Sequence, residues 1–171
     1  MPRGVLGLRQ LTEPESWIAW IRLVAVPFVF FEVAIEHGNY PAGDERWAWA
    51  LAVVFALGAG LFFVLRPGGL AALAFDVAIV SAFVVLYGFE PSSPVRQILF
   101  LPVIEAALRY GRLGGAVTPV ASVPALTLFE RRASDALDVP FDPGHVIFPV
   151  GLQLLVGLVV GTLAQRARSP A

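Results

Sequence analysis

The sequence predicts an all-α integral membrane protein: a bundle of six transmembrane helices with both termini in the cytoplasm. Three observations carry that expectation. Six apolar runs follow one another along the 171 residues, each near the roughly 17–25 residues that a helix needs to cross hydrocarbon. Charged residues make up only 15% of the chain, against about 25% in soluble domains, and mean hydropathy is +0.75. The arginines gather on alternate joins between the runs, which sets an orientation.

The apolar runs divide the chain into a polar segment 1–16, a membrane domain 17–165 and a tail 166–171. The expected helices lie at about 17–35, 47–65, 70–88, 94–110, 114–129 and 143–165. Segment 1–16 lacks the small-residue cleavage pattern of a signal peptide, and Thr12 with Glu15 fits a capping box ahead of the first helix. Ser93-Pro94 and Asp142-Pro143 each place a capping side chain before a proline suited to the first helical turn. Arg66-Pro-Gly-Gly69 and Gly111-Arg-Leu-Gly-Gly115 read as tight turns, whereas the joins after the first and fifth helices read as longer and acidic. The fourth and fifth helices are the shortest, and Pro119 and Pro124 predict a tilt or bend in the fifth.

Arg3, Arg9, Arg66, Arg109, Arg112, Arg166 and Arg168 fall on one side of this arrangement. Only Arg46, Arg131 and Arg132 fall on the other, with most of the acids. The larger group marks the cytoplasmic side, and Trp17, Trp20, Trp47 and Trp49 stand at helix ends as interfacial anchors. With a net charge of −1 there is no general basic surface for nucleic acid, and with no cysteine there are no disulfides, thiol redox chemistry or thiolate metal sites.

A charged side chain in hydrocarbon costs roughly 2.5–3.5 kcal/mol on insertion scales, so the intramembrane charges need partners or a use. At about 1.5 Å of rise per residue, Arg22 lies about 8 Å inside the cytoplasmic boundary, Asp76 about 9 Å and Glu105 about 8 Å. Arg109 follows Glu105 by one turn on the same face. Arg22, Asp76, Glu105 and Arg109 are therefore expected to form an ionic cluster in the cytoplasmic leaflet, either as a structural lock or as a switch, ligand site or proton site. Towards the outside, Glu32 and Glu36 share a face of the first helix while Arg96 enters the fourth.

In the sixth helix, Gly157-Leu-Val-Val-Gly161 is a G-x-x-x-G motif that lets helix backbones approach closely, within the chain or in a homodimer. Gln153 should lie near mid-bilayer and hydrogen-bond to another helix. His37 and His145 have carboxylates near them in sequence but no ligand spacing, so they read as loop histidines and no metal or cofactor is expected. No hydrolase, zinc-protease or nucleotide-binding motif is present, and Asp76 is the only intramembrane aspartate, which leaves intramembrane proteolysis without an aspartate pair. The chain reads as having no catalytic activity of its own.

The stretches EPSSPVRQILFLPVIEAALRYGRLGG (Glu90–Gly115) and FDPGHVIFPVGLQLLVGLVVG (Phe141–Gly161) resemble the six-helix N-terminal membrane region of bacterial sensor histidine kinases and GGDEF-type signalling proteins. The runs IRLVAVPFVFFEVAI and FDVAIVSAFVVLYGFEP fit the same pattern, so the likeness extends over about residues 17–165. It implies a signal-transducing input module in the bacterial inner membrane, as in two-component systems. Such a module would act through its last helix on a cytoplasmic output domain or partner, with homodimer contact through that helix. Kinase and cyclase activities do not carry over, because the chain to Ala171 contains neither domain. Two other functions suit six helices with both termini inside: the substrate-binding membrane subunit of a small-molecule uptake system, and a non-catalytic membrane scaffold.

Overall fold

The computed structural model describes residues 14–65, 69–90 and 93–168, with the side chains of 14–17 left aside. Among the described residues there are six α-helices: α1 (Pro14–Ile35), α2 (Asp44–Leu65), α3 (Gly69–Leu86), α4 (Phe100–Tyr110), α5 (Arg112–Leu137) and α6 (Gly144–Arg168). Two 3-10 segments, Tyr87–Phe89 and Pro94–Leu99, lie between α3 and α4. Among the described residues there is no strand. By length and composition, α1, α2, α3 with its 3-10 extension, α5 and α6 could each cross a membrane. Thr12 and the side chain of Glu15 fall outside the described residues, as does the Arg66–Gly69 turn apart from the Gly69 that begins α3.

The chain forms two compact units, one up to Ala72 and one from Leu73 onward. The first is built on the antiparallel hairpin of α1 and α2, turned by a segment containing Gly38 (φ +91°) and Gly43 (φ +93°). Three contacts fix its register. Trp20 meets Phe63 edge-on at 5.3 Å, the Arg22 guanidinium lies 5.7 Å from the centre of the Phe62 ring, and Phe30 meets Trp49 at 6.0 Å. Phe62 and Phe63 thus hold the hairpin together, whereas Phe28 and Phe31 are exposed. With Ile21, Val24 and Ile35 also exposed on α1, this outward apolar face suits a lipid surrounding rather than water.

The second unit is organised around α5, which packs against both α4 and α6. This helix was expected to be one of the shortest, at about 114–129; it is the longest, with 26 residues. The polar stretch after Phe129 stays helical because Glu130, Ala133 and Ser134 are buried and the Tyr87–Phe89 segment packs on it. There Gly88 comes so close that a Cβ would stand 2.8 Å from Arg132 Cβ and 3.0 Å from the Phe129 carbonyl. The helix ends at Asp138, in the left-handed region (φ 52°), with the Val139 amide bonded back to the Ser134 carbonyl at 3.0 Å.

The expected fourth helix is not uniform. It begins as a six-residue 3-10 segment and becomes α-helical for eleven residues from Phe100. Ser93 starts it as anticipated, accepting a hydrogen bond from the Val95 amide at 3.3 Å with Pro94 in the first turn. The 3-10 rise is larger than the α rise, so the two pieces laid end to end would measure about 28 Å. Asp142 likewise caps α6, accepting from the Gly144 amide at 2.8 Å.

A seam of glycines joins α4, α5 and α6. The stretch Gly111–Gly115 was read as a tight turn with the next helix starting at about 114; only Gly111 (φ +66°) turns the chain, and α5 already begins at Arg112, with Gly114 and Gly115 inside it. A Cβ on Gly114 would fall 2.2 Å from the Ala106 carbonyl of α4. A Cβ on Gly115 would fall 2.1 Å from the Gly157 carbonyl, and one on Gly157 would fall 2.1 Å from the Gly115 carbonyl. One turn along, a Cβ on Gly161 would meet the Gly111 carbonyl at 2.6 Å. The G-x-x-x-G motif of α6 therefore packs within the chain, against glycines at the same four-residue spacing. The Gly115 carbonyl lacks the usual donor four residues on, because residue 119 is proline. It points instead at the Gly157 Cα, in the manner of a Cα–H···O contact.

Gly157→Leu should therefore destabilise the second unit by at least about 1–3 kcal/mol, the usual range for overpacking. Gly151→Leu, six residues earlier on the same helix with nothing within 4 Å of its Cβ position, should be nearly neutral. Unfolding of the detergent-solubilised variants in mixed micelles checks the contrast, and equal stabilities would rule out the seam.

Candidate functional site

The charged residues singled out in the sequence are buried. Arg22, Asp76 and Glu105 are 6%, 7% and 6% exposed. Glu105 and Arg109 form the expected pair: Arg109 Nε donates to Glu105 Oε1 at 2.9 Å, one helical turn apart, with both side chains 7% exposed. Asp76 stands on α3 in the same unit. Arg22 belongs to the first unit, where its guanidinium lies over Phe62.

The Glu105–Arg109 pair sits on a helix whose end is held from elsewhere in the chain. The last residue of α6, Arg168, donates from Nη1 to the Arg109 carbonyl at 3.1 Å and from Nη2 to the Leu108 carbonyl. These carbonyls belong to the last turn of α4, where a helix has no donors of its own and its dipole favours a cation. Gln165 lies against Gly111, so closely that a Cβ there would meet Gln165 Nε2 at 2.4 Å. The far end of α6 is thereby fastened to the α4–α5 turn. Sequence reasoning missed this, because Arg168 fell in the presumed tail. The signal available was a cation three residues beyond the expected end of one helix and a glycine turn ending another on the same side.

Midway along the α5–α6 interface, Ser122 Oγ lies 2.8 Å from Gln153 Oε1 and 2.7 Å from the Pro119 carbonyl. Gln153 thus meets another helix, as expected, and is 1% exposed. A serine hydroxyl has one proton and cannot donate to both oxygens. In this orientation Gln153 Nε2 also has no acceptor. Turning the amide over resolves both problems: Nε2 donates to Ser122 Oγ, and Ser122 donates to Pro119.

At the opposite end of the interface, His145 Nδ1 lies 2.9 Å from Glu130 Oε1, and its Nε2 lies 3.8 Å from Asp142 Oδ2. His145 is therefore part of a helix–helix contact and not an ordinary loop histidine. Glu130 escaped notice because α5 was expected to end before it. In the first unit His37 contacts Glu45 through Nδ1. Asn39 donates to Glu36 at 3.1 Å. Glu32 and Glu36 lie in the first unit and Arg96 in the second. Among the described residues, no three of His, Asp and Glu converge into a group that could hold a metal ion.

The molecule thus belongs to the class of all-helical proteins with several helices able to cross a membrane, carrying a buried ion pair beside a helix-end clasp. Comparison with protein families, curated proteins and solved structures finds no match for the chain.

Removing one member of a buried pair leaves the other charge uncompensated, a loss of about 3–5 kcal/mol. Glu105→Gln and Arg109→Gln should each destabilise the chain strongly, and the double variant should be more stable than either single one. A double-mutant cycle of unfolding free energies checks this; additive losses would show that the pair is not coupled.

Proposed function

We propose that the protein is a membrane-embedded input domain for signal transduction, without catalytic activity of its own. In this reading six segments span the bacterial inner membrane, with both termini cytoplasmic. The 3-10/α segment Pro94–Tyr110 is the least regular span, and its length of about 28 Å nearly matches a 30 Å hydrocarbon core.

The observation that carries the proposal is the fastening of the α6 end. Arg168 and Gln165 hold the α4–α5 turn, and Glu105 and Arg109 lie in the adjoining turns of α4. A change in the state of the buried pair would alter the α4 end and be felt at the exit of α6. Packed interfaces of this kind shift between discrete arrangements rather than deform continuously. The resemblance of the chain to membrane regions of sensor kinases and GGDEF-type proteins supports the same direction of signal, from the helix bundle through the last helix to a cytoplasmic output domain or partner. The glycine face of α6 is filled by α5. A homodimer through α6 would therefore use its exposed face, which carries Phe148, Leu155, Val159 and Leu163.

The test joins α6 in frame to a cytoplasmic reporter whose output depends on dimer geometry. Arg168→Gln should change the output about five-fold or more, the lower end of ordinary coupling free energies. Gly151→Ala should leave it unchanged. An Arg168→Gln fusion with unaltered output at equal membrane abundance would contradict the signalling role, as would copurification of the chain with a transport ATPase and a tightly held solute.

A further inference from the structure

The two ends of the α5–α6 pair differ in charge. The helices run antiparallel, as the facing pairs Gly115–Gly157, Ser122–Gln153 and Glu130–His145 require. One end therefore carries Glu130, Asp135, Asp138 and Asp142 together with Arg131 and Arg132. The other carries Arg109, Arg112, Arg166 and Arg168, with Glu105 the sole acid in α4 and in the facing halves of α5 and α6. Glu105 is buried and pairs with Arg109. Arg112, Arg166 and Arg168 are exposed. Contacts bring Arg112 and Arg168 to one locality, and Arg166 stands in the same last turns of α6. Arg168 reaches the carbonyls of Leu108 and Arg109, and the Arg112 amide lies beside Gly161.

Next to these cations the surface is apolar. Leu113 is 72% exposed, Leu163 60% and Tyr110 40%. Guanidinium groups at a helix end with bare leucine beside them match an amphiphile: an anionic head bound by the arginines and an acyl chain laid along the leucines. We propose that this end of the second unit binds an anionic phospholipid, its phosphate held among Arg112, Arg166 and Arg168. Arg168 can serve both partners, because two of its N–H groups hold the α4 carbonyls and the rest of its five-donor fork remains for phosphate. A soluble anion would make no use of the apolar strip. The inference rests on the membrane embedding of the chain and is independent of the signalling role.

The test is native mass spectrometry of the full chain in neutral detergent, offered equal amounts of phosphatidylglycerol and phosphatidylcholine. The wild type should retain phosphatidylglycerol preferentially, and rising salt should weaken that preference. Each arginine near a charged lipid surface contributes about a five-fold preference, so Arg112→Gln/Arg166→Gln should reduce it by about twenty- to thirty-fold. Arg112→Lys/Arg166→Lys keeps the charge and should retain most of it, and Arg131→Gln at the other end should retain all of it. Equal retention of the two lipids by the wild type would overturn the proposal. So would an undiminished preference in the glutamine variant, or displacement of the lipid by a large excess of inorganic phosphate. Loss of the embedding itself would show separately, as release of the chain from membranes by alkaline carbonate without detergent.

Discussion

The close approach of Gly115 and Gly157 is the constraint on which the second unit depends. Each glycine places its carbonyl where the other's side chain would begin, so neither position admits a Cβ. This brings the α5 and α6 backbones together and lets the flanking pairs form: Ser122 with Gln153 in one direction, Gly111 with Gly161 and Gln165 in the other. Pro119 takes part by removing the donor that would otherwise hold the Gly115 carbonyl inside α5. A proline that would weaken an isolated helix thus frees an acceptor for the neighbouring one. In hydrocarbon, where apolar contact between helices gains little over contact with lipid, such close packing and hydrogen bonding are the main sources of association.

The polar features are arranged on this seam. Glu105 and Arg109 pair with each other one turn apart on α4. Among the contacts that connect that helix to its neighbours are Gly114 against Ala106 and Arg168 over the final carbonyls. The end of α6 is consequently bound to the turn most exposed to changes in the buried pair. The same end gathers the exposed arginines. A local change in charge, a helix displacement and contact with an anionic lipid surface would therefore act on one small region.

Much of the helical pattern was legible in the sequence, because apolar runs and capping residues are local signals. Ser93 and Asp142 cap where their sequence context indicated, and Glu105 meets Arg109 because a spacing of four residues fixes that contact in any helix. Gln153 finds a partner on another helix, as a buried amide must. The errors arose where local signals competed with packing. Gly111–Gly115 has the composition of a turn, but only Gly111 turns and α5 begins at Arg112, with Gly114 and Gly115 close against α4 and α6. The polar sequence after Phe129 looks like a loop, but the contact with Gly88 covers it and extends α5. Glu130–His145 and the Arg168 clasp depend on which helices are neighbours, and the periodicity of single segments does not contain that information.

The account turns on whether Gly115 and Gly157 share one contact, and a double-mutant cycle with Gly115→Ala and Gly157→Ala measures that directly. Once one added methyl has separated the helices, the second should do little further harm. The double variant should then be less destabilised than the sum of the singles by about 1 kcal/mol or more, within the range for residues in direct contact. Losses that add to within about 0.5 kcal/mol, as for independent sites, would contradict the seam.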